Sequence, residues 1–296
     1  MWPLTRMMAN RTRPETLSAS RRKRRPALEC LEEKQLLSIT FGADGNGTYA
    51  FNSSNLSKVE INSAIPTAMT EGADGTLFVS YNSNGWQGTY RYDYSSGQWT
   101  GLTSWTSTAM SAGQDNSLFV TLNGHGTWEL YGANWTELAS HDAYNLAAVN
   151  SSWVYASFGG TRYGTWSDEG GSWTQIASHI PVAMDAIPDG TMYASFSGLG
   201  TYEDNGHWTK ITPDVANAIA AISDQEMIAS FADQGTVDYY DSYGQWVGSG
   251  MQPEVSTALG HSGSTVIMSL SGVGTYTNDV SIWYTQYVGG ESYLVG

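Results

Sequence analysis

Hydrophobic positions along this chain fall in short runs of aromatic and β-branched residues, cut by Asn, Ser, Asp and Gly. In "LFVSYNSNGWQGTYRYDYSSGQWTGL", Leu77 to Leu102, three such runs flank polar gaps suited to tight turns. So small a meander cannot bury both of its faces alone. The stretch recurs, however. Gly-Thr followed by a hydrophobic residue stands at Gly47, Gly88, Gly126, Gly164, Gly200, Gly235 and Gly274, at intervals of 41, 38, 38, 36, 35 and 39 residues. A matching apolar run precedes each pair: "LLSITF" from Leu36, "TLFVSY", "SLFVTL", "WVYASF", "TMYASF", "EMIASF" and "TVIMSL". A Trp follows six of the seven (Trp99, Trp135, Trp173, Trp208, Trp246 and Trp283), mostly as "WTxL", while the first copy has "NLSKVEI" there. From the second copy on, a run of small apolar residues comes first, as in "TAMTEG", "LAAVN" and "AIAAI".

Four strands in a repeat of this length predict an all-β, seven-bladed β-propeller, with four-stranded antiparallel blades that hide their apolar faces against their neighbours. The small-residue run suits the crowded innermost strand. The Trp run suits the outer strand, where the gap between blades widens and a large ring fills it. A parallel β-solenoid would also repeat, but its coils carry no Trp-rich meander with hairpin turns. The first copy, Leu36 to Ile61, has no inner strand of its own, and "ESYLVG" (Glu291–Gly296) has no other partner. The C-terminal strand is therefore expected to complete the N-terminal blade and remove the open sheet edges.

Charge divides the chain at the same boundary. Residues 1–35 hold nine of the 13 Lys and Arg, against four Glu; residues 36–296 set four cations against 24 carboxylates, a net of −20 (4 − 24). The expected organisation is a basic, largely disordered targeting or processing arm at 1–35 and a propeller at 36–296, with helix, if anywhere, around Pro26 to Gln35. An acidic body repels nucleic acid and anionic membranes. No run of 18 apolar residues exists to span a membrane. Cys30, the only cysteine, lies in the arm, so the propeller carries no disulfide. The segment "RRKRRPALECLEEKQLLS" resembles the LEPR-XLL segment of large exported bacterial proteins through the Leu-Glu and Leu-Leu ends of Leu31–Leu37. That resemblance implies an extracellular or cell-surface address in a bacterium, where the sequons at Asn46, Asn52, Asn55, Asn134 and Asn150 mean only Asn turns.

Candidate chemistry is sparse. The five histidines fall in different repeats without a paired metal motif, and no cofactor or metal is expected. "GADGNGT" and "GADGT" lack the further oxygen ligands of a calcium loop and read as hairpin turns. "WSDEGGSW" resembles the Asp-box of sialidase and sortilin propellers through Asp168, Gly170 and Trp173, which implies a structural turn. Residues 36–296 hold only two arginines, Arg91 and Arg162, so the three-arginine cluster of a sialidase is missing.

Short blades favour a non-enzymatic binding module. The repeat resembles lectin-like propellers, tectonin-type and bacterial fucose-binding, in its Trp-bearing strands and Gly-rich turns. It is similar also to the ligand-sensing propellers of two-component regulators in its "GTYRYD" turn. The lectin resemblance implies multivalent, shallow carbohydrate sites. The loops entering the inner strands share a face with the turns between second and third strands. There the candidate ligand-binding residues are Trp86, Trp105, His125, His141, Asp142, Arg162, Tyr163 and His179, because sugars bind a flat ring backed by fixed hydrogen-bonding groups. The register-locked Trp series reads instead as core wedges. A protein-interaction scaffold with an acidic rim is the alternative, and a glycosidase or lyase with carboxylates near the axis the second alternative. A monomer is expected.

Overall fold

A computed structural model describes residues 39–289, apart from 53–56, 84, 234, 241–244, 249–255, 263–264, 271–273 and 280–283, with side chains up to Gly235 except Asp44. The basic arm, the export-like segment, the expected helix, Trp283 and "ESYLVG" lie outside the described residues. The chain divides into two units, Met1–Leu36 and Leu37–Gly296, and all described strands belong to the second.

Those strands form seven antiparallel sheets in chain order, one of three strands and six of four. The first comprises β1 (Ile39–Asp44), β2 (Gly47–Asn52) and β3 (Ser57–Asn62). The second is β4 (Pro66–Glu71), β5 (Leu77–Ser83), β6 (Trp86–Asp93) and β7 (Gln98–Thr103). Next come β8 (Ser107–Ala112), β9 (Leu118–Leu122), β10 (Gly126–Tyr131) and β11 (Asn134–Ala139). The fourth sheet holds β12 (Ala143–Asn150), β13 (Trp153–Phe158), β14 (Gly164–Glu169) and β15 (Ser172–Ala177). The fifth holds β16 (Pro181–Ala186), β17 (Met192–Phe196), β18 (Gly200–Asp204) and β19 (Trp208–Thr212). In the sixth are β20 (Ala216–Ser223), β21 (Glu226–Phe231), β22 (Gly235–Tyr240) and β23 (Gln245–Gly248). The last has β24 (Ser256–Ser262), β25 (Thr265–Leu270), β26 (Gly274–Asp279) and β27 (Tyr284–Gly289).

Neighbouring sheets meet through their first strands. From β4 to β24, each small-residue strand contacts that of the next sheet, so the sheets crowd at this edge and splay at the other. Second strands are buried on both faces: every residue of β9 and β17 is inaccessible, whereas fourth strands such as β7 and β15 stay half open. β27 contacts β3, which brings the last sheet to the first. Among the described residues, the first sheet has no strand on the inner side of β1.

The recurring Gly-Thr pair is a latch between sheets. The glycines at 88, 126, 164 and 200 hold φ of 118, 85, 121 and 111°, a region that Cβ-bearing residues avoid. A Cβ there would strike the carbonyl oxygen of Thr103, Ala139, Ala177 and Thr212 respectively, at the end of the fourth strand. The adjoining Thr is wholly buried. Its hydroxyl donates to the carbonyl two residues before the next sheet begins: Thr48 to Ala64 (3.0 Å), Thr89 to Trp105 (3.0 Å), Thr127 to His141 (2.9 Å), Thr165 to His179 (2.7 Å) and Thr201 to Asp214 (2.9 Å).

A β-bulge falls beside each of these pairs. In β10–β11, Thr127 faces Ala139 and Trp128 faces Glu137, leaving Leu138 extra; Leu102, Ile176 and Ile211 are extra in the same way. The last residue of "WTxL" is thus the bulge. Its carbonyl receives the indole of the next sheet, Trp173 Nε1–H to Leu138 (3.1 Å) and Trp208 Nε1–H to Ile176 (3.0 Å). These partly buried Trp rings pack against the intersheet clusters.

Candidate functional site

The two ends of the antiparallel strands differ in chemistry. One end gathers the turns between second and third strands with the loops that lead to the next sheet. All eight residues singled out in the sequence lie here. The structure brings some of them together. Trp105, 41 % exposed, stacks on His125 with ring centroids 4.1 Å apart and planes 15° from parallel. The turn bearing His125 is braced from the following loop, because the Asp142 carboxylate accepts the N–H groups of Gly124 (2.7 Å) and Gly126 (2.9 Å). Beside Asp142, His141 reaches forward, Nε2 to Thr161 Oγ1 at 3.2 Å, into the turn that carries Arg162 and Tyr163. Trp105, His125, Asp142 and His141 therefore follow one another along the rim. Asp142 is committed to holding a turn.

The others are placed differently. Trp86 leans into an aromatic cluster, with its centroid 4.8 Å from Tyr90 and 5.2 Å from Trp99, and is partly buried. The Arg162 guanidinium is folded onto the rings of Phe158, Trp166 and Trp173 at 4.8, 4.9 and 4.4 Å. Burial pulls its pKa down, against the pull of Asp168. Tyr163 is 54 % exposed, and its carbonyl accepts from Gln175 Nε2 at 2.9 Å. His179, exposed, sets its ring edge-on to Phe196 at 6.3 Å.

The opposite end gathers the turns between first and second and between third and fourth strands, and it is acidic. Asp74, Asp93, Asp115, Glu169, Asp189 and Asp224 are exposed there. Most cap their own turn: Asp74 accepts from Thr76 N–H, Asp93 from Ser95 and Ser96, and Asp189 from Thr191 N–H. Asp115 reaches further, accepting Ser151 N–H of the next sheet, while Asn116 Oδ1 accepts Asp74 N–H of the preceding one. Serine donors hold Asp93 below the usual carboxylate range. Asp168 is buried. Desolvation raises its pKa, and the N–H groups of Gly171 and Ser172 oppose the rise, which is the structural turn that the Asp-box likeness implies.

Two clefts open at this acidic end, and neither is lined by any of the eight residues. The larger, of about 810 Å³, lies where the fourth, fifth and sixth sheets meet. Among the described residues its walls include Glu169, Asp189, Glu203, Asp204 and Asp224, and no Lys or Arg. Four of these five carboxylates already accept a bond from their own strand or turn: Glu169 from Ser167 Oγ, Asp189 from Thr191 N–H, Glu203 from Asn205 Nδ2 and Asp204 from Gly206 N–H. The smaller cleft, about 420 Å³, sits between the second and third sheets, with Arg91 beside Asp74 and Asp115. Among the described residues, no group of three or more His, Cys, Asp or Glu could hold a metal ion. No described helix is long and apolar enough to cross a membrane.

Sequence reasoning expected an acidic rim but named none of its residues, because Glu169, Asp189 and Asp224 belong to three separate repeats. Nothing in their local spacing joins them.

No protein-family model and no curated protein matches the chain. Solved structures do. The WD40 repeats of RRP9 superpose with a TM-score of 0.57 at 11% identity, over 87% of this chain and 87% of that one. The β-propeller domain of Cps50 (Swd1) from Myceliophteria thermophila gives 0.57 at 10% identity, over 81% and 95%. The dihydro-heme d1 dehydrogenase NirN gives 0.54 at 14% identity, over 87% and 64%. Identities this low speak for fold alone, and the three names span more than one function. The chain carries the β-propeller fold.

Proposed function

We propose that residues 36–296 form a seven-bladed, closed propeller that serves as a non-enzymatic protein-interaction scaffold, its acidic end receiving a basic segment of a partner. One observation carries this reading: six exposed carboxylates lie at one end, and among the described residues the cleft that opens there is walled by five acids and no Lys or Arg. With a net of −20 over residues 36–296, the field of the body adds to the local one and steers cations to that end. The test is fluorescence anisotropy of a labelled decalysine peptide with the purified chain across ionic strength. Asp189→Asn/Asp224→Asn should weaken binding by about tenfold, while the equal-charge control Glu137→Gln/Asp214→Asn should change it little. Equal losses in both variants, or no binding at low salt, refute the reading.

Carbohydrate binding is the second reading, favoured by the half-exposed Trp105–His125 stack. A glycan array that retains no sugar at millimolar strength ends it. Closure of the ring through Glu291–Gly296, a targeting role for residues 1–35 and an address outside a bacterial cell belong to the same proposal. Deleting residues 291–296 should lower Tm and promote aggregation through the uncovered edge of β1. An unchanged melt would separate the tail from the first sheet.

A further inference from the structure

Three sheets place the same three rings at the same register positions. In the fourth sheet they are Phe158, paired with Gly164 at the start of β14, Trp166 two residues further, and Trp173 on β15. The corresponding rings are Tyr81, Tyr90 and Trp99 in the second sheet and Phe196, Tyr202 and Trp208 in the fifth. In each case they face the preceding sheet and converge. Fifth-sheet centroids stand 6.0, 5.5 and 6.2 Å apart, all edge-to-face.

What differs is the turn above them. In the second sheet Trp86 folds back from the turn and fills the space among the rings. In the fourth sheet Arg162 does so, and its guanidinium lies within 4.9 Å of all three centroids. That contact shows what such a triad accepts: a planar cation over ring faces. The fifth-sheet turn between Phe196 and Gly200 is only Ser197-Gly198-Leu199, two residues shorter than the turn that carries Arg162. Gly198 has no side chain to return, its φ is +74°, and Leu199 is exposed. His179 borders the triad from the preceding loop, and Lys210 Nζ stands at its outer margin, 5.7 Å from Tyr202.

We propose that Phe196, Tyr202 and Trp208 form a receptor for the guanidinium of an arginine side chain offered by a partner, a subsite that the chain's own Arg162 occupies in the fourth sheet. The inference deepens the scaffold reading, and it rests on that reading for its source, a basic protein segment. An acidic body draws basic segments in, and the triad, at the end opposite the acidic clefts, would hold one arginine of a segment that reaches that end.

The experiment follows the indole N–H resonances of the full chain by NMR. Trp208→Phe assigns one of them, and the chain is titrated with N-acetyl-arginine amide and with N-acetyl-citrulline amide as the neutral isostere. The Trp208 resonance should shift saturably with arginine and not with citrulline. Tyr202→Leu, which keeps apolar volume but removes a ring, should weaken the response about fivefold. Arg162→Ala empties the fourth-sheet triad and should add the indoles of Trp166 and Trp173 to the responding set. This outcome is a gain of signal, which an unfolded variant does not give. An unresponsive Trp208, an equal response to citrulline, or a silent Trp173 in Arg162→Ala would overturn the proposal. Decalysine binding that persists while Trp208 stays silent would sink the arginine subsite and leave the scaffold standing. Failure of both probes would remove both.

Discussion

Glu71, the last residue of β4, sets a stability test. Desolvation, with Asp74 adding repulsion, pushes its pKa up to about 8 from 4.5. The folded protein therefore keeps a proton that the unfolded chain releases above pH 4.5. Between pH 4.5 and about 8 the unfolded state binds fewer protons, so stability must fall as pH rises. Below 4.5 both states are protonated and the contribution is whole; above 8 it is gone. At pH 7 the lag amounts to 2.5 units at about 1.4 kcal/mol each, a cost of about 3 kcal/mol as an upper bound. Glu71→Gln keeps the shape of the neutral acid and cannot ionise. It should raise stability at pH 7 by up to about 3 kcal/mol, or Tm by about 5–10 °C for a domain of this size, and leave stability at pH 4.5 nearly unchanged. Denaturant melts of both proteins at pH 4.5, 6, 7 and 8 give the comparison. A constant difference between the two across that range would mean that Glu71 ionises freely in the folded protein, and the account of its burial would be wrong.

Other expectations follow from the joints between sheets. Thr165→Val removes the buried hydroxyl that donates to His179 O at 2.7 Å and should cost about 1–3 kcal/mol in a denaturant melt, with Thr165→Ser recovering part of the loss. Gly200→Ala meets both a φ of 111° and the Thr212 carbonyl, so its loss should exceed that of Ala at the open turn position Gly132, read by the same melt. Trp208→Phe keeps most of the ring area but gives up the bond to Ile176 O. It should destabilise by about 1 kcal/mol, and the fifth-sheet amides should lose hydrogen-exchange protection before those of the second sheet. Asp142→Ala frees the amides of Gly124 and Gly126. The near-ultraviolet dichroism from the Trp105–His125 stack should fall while far-ultraviolet dichroism holds.

The architecture was legible because its causes are periodic. Gly-Thr recurs where the fourth strand's end crowds the third, small residues recur where first strands meet, and Trp recurs where sheets diverge. Each is a steric requirement repeated in register, and so it surfaces as a spacing. The bulge was in view too, as the Leu or Ile of "WTxL", but naming its role required the pairing of Trp128 with Glu137 rather than Leu138. Chemistry at the rims was less legible. Arg162 looked like a free ligand-binding cation, yet its turn is long enough to lay it on three rings of its own sheet. Trp86 looked like an open platform and is packed for the same reason. In these two turns the extra residues let one side chain return to the sheet, while Tyr163 of the same turn as Arg162 stays exposed. The single-sequence reading weighed the types and passed over the lengths.

The joints also explain how such short, disulfide-free strands hold together over the described sheets. Each Gly-Thr latch ties a sheet to the loop that starts the next, spanning 13 to 16 residues, while the indole bonds of Trp173 and Trp208 tie a sheet back to the one before, spanning 35 and 32. The two kinds of bond sit at different radii. One closes the connection where the chain passes between sheets, and the other pins the wide outer gap through a bulged carbonyl that regular pairing would have consumed. A sheet joined to its neighbour at both radii cannot pivot about either joint. The consequence bears on binding: the ring triads of the fourth and fifth sheets, and the part of the larger cleft between those two sheets, lie between sheets tied at two places. Whatever enters them meets a preformed space, and affinity is not spent on ordering it.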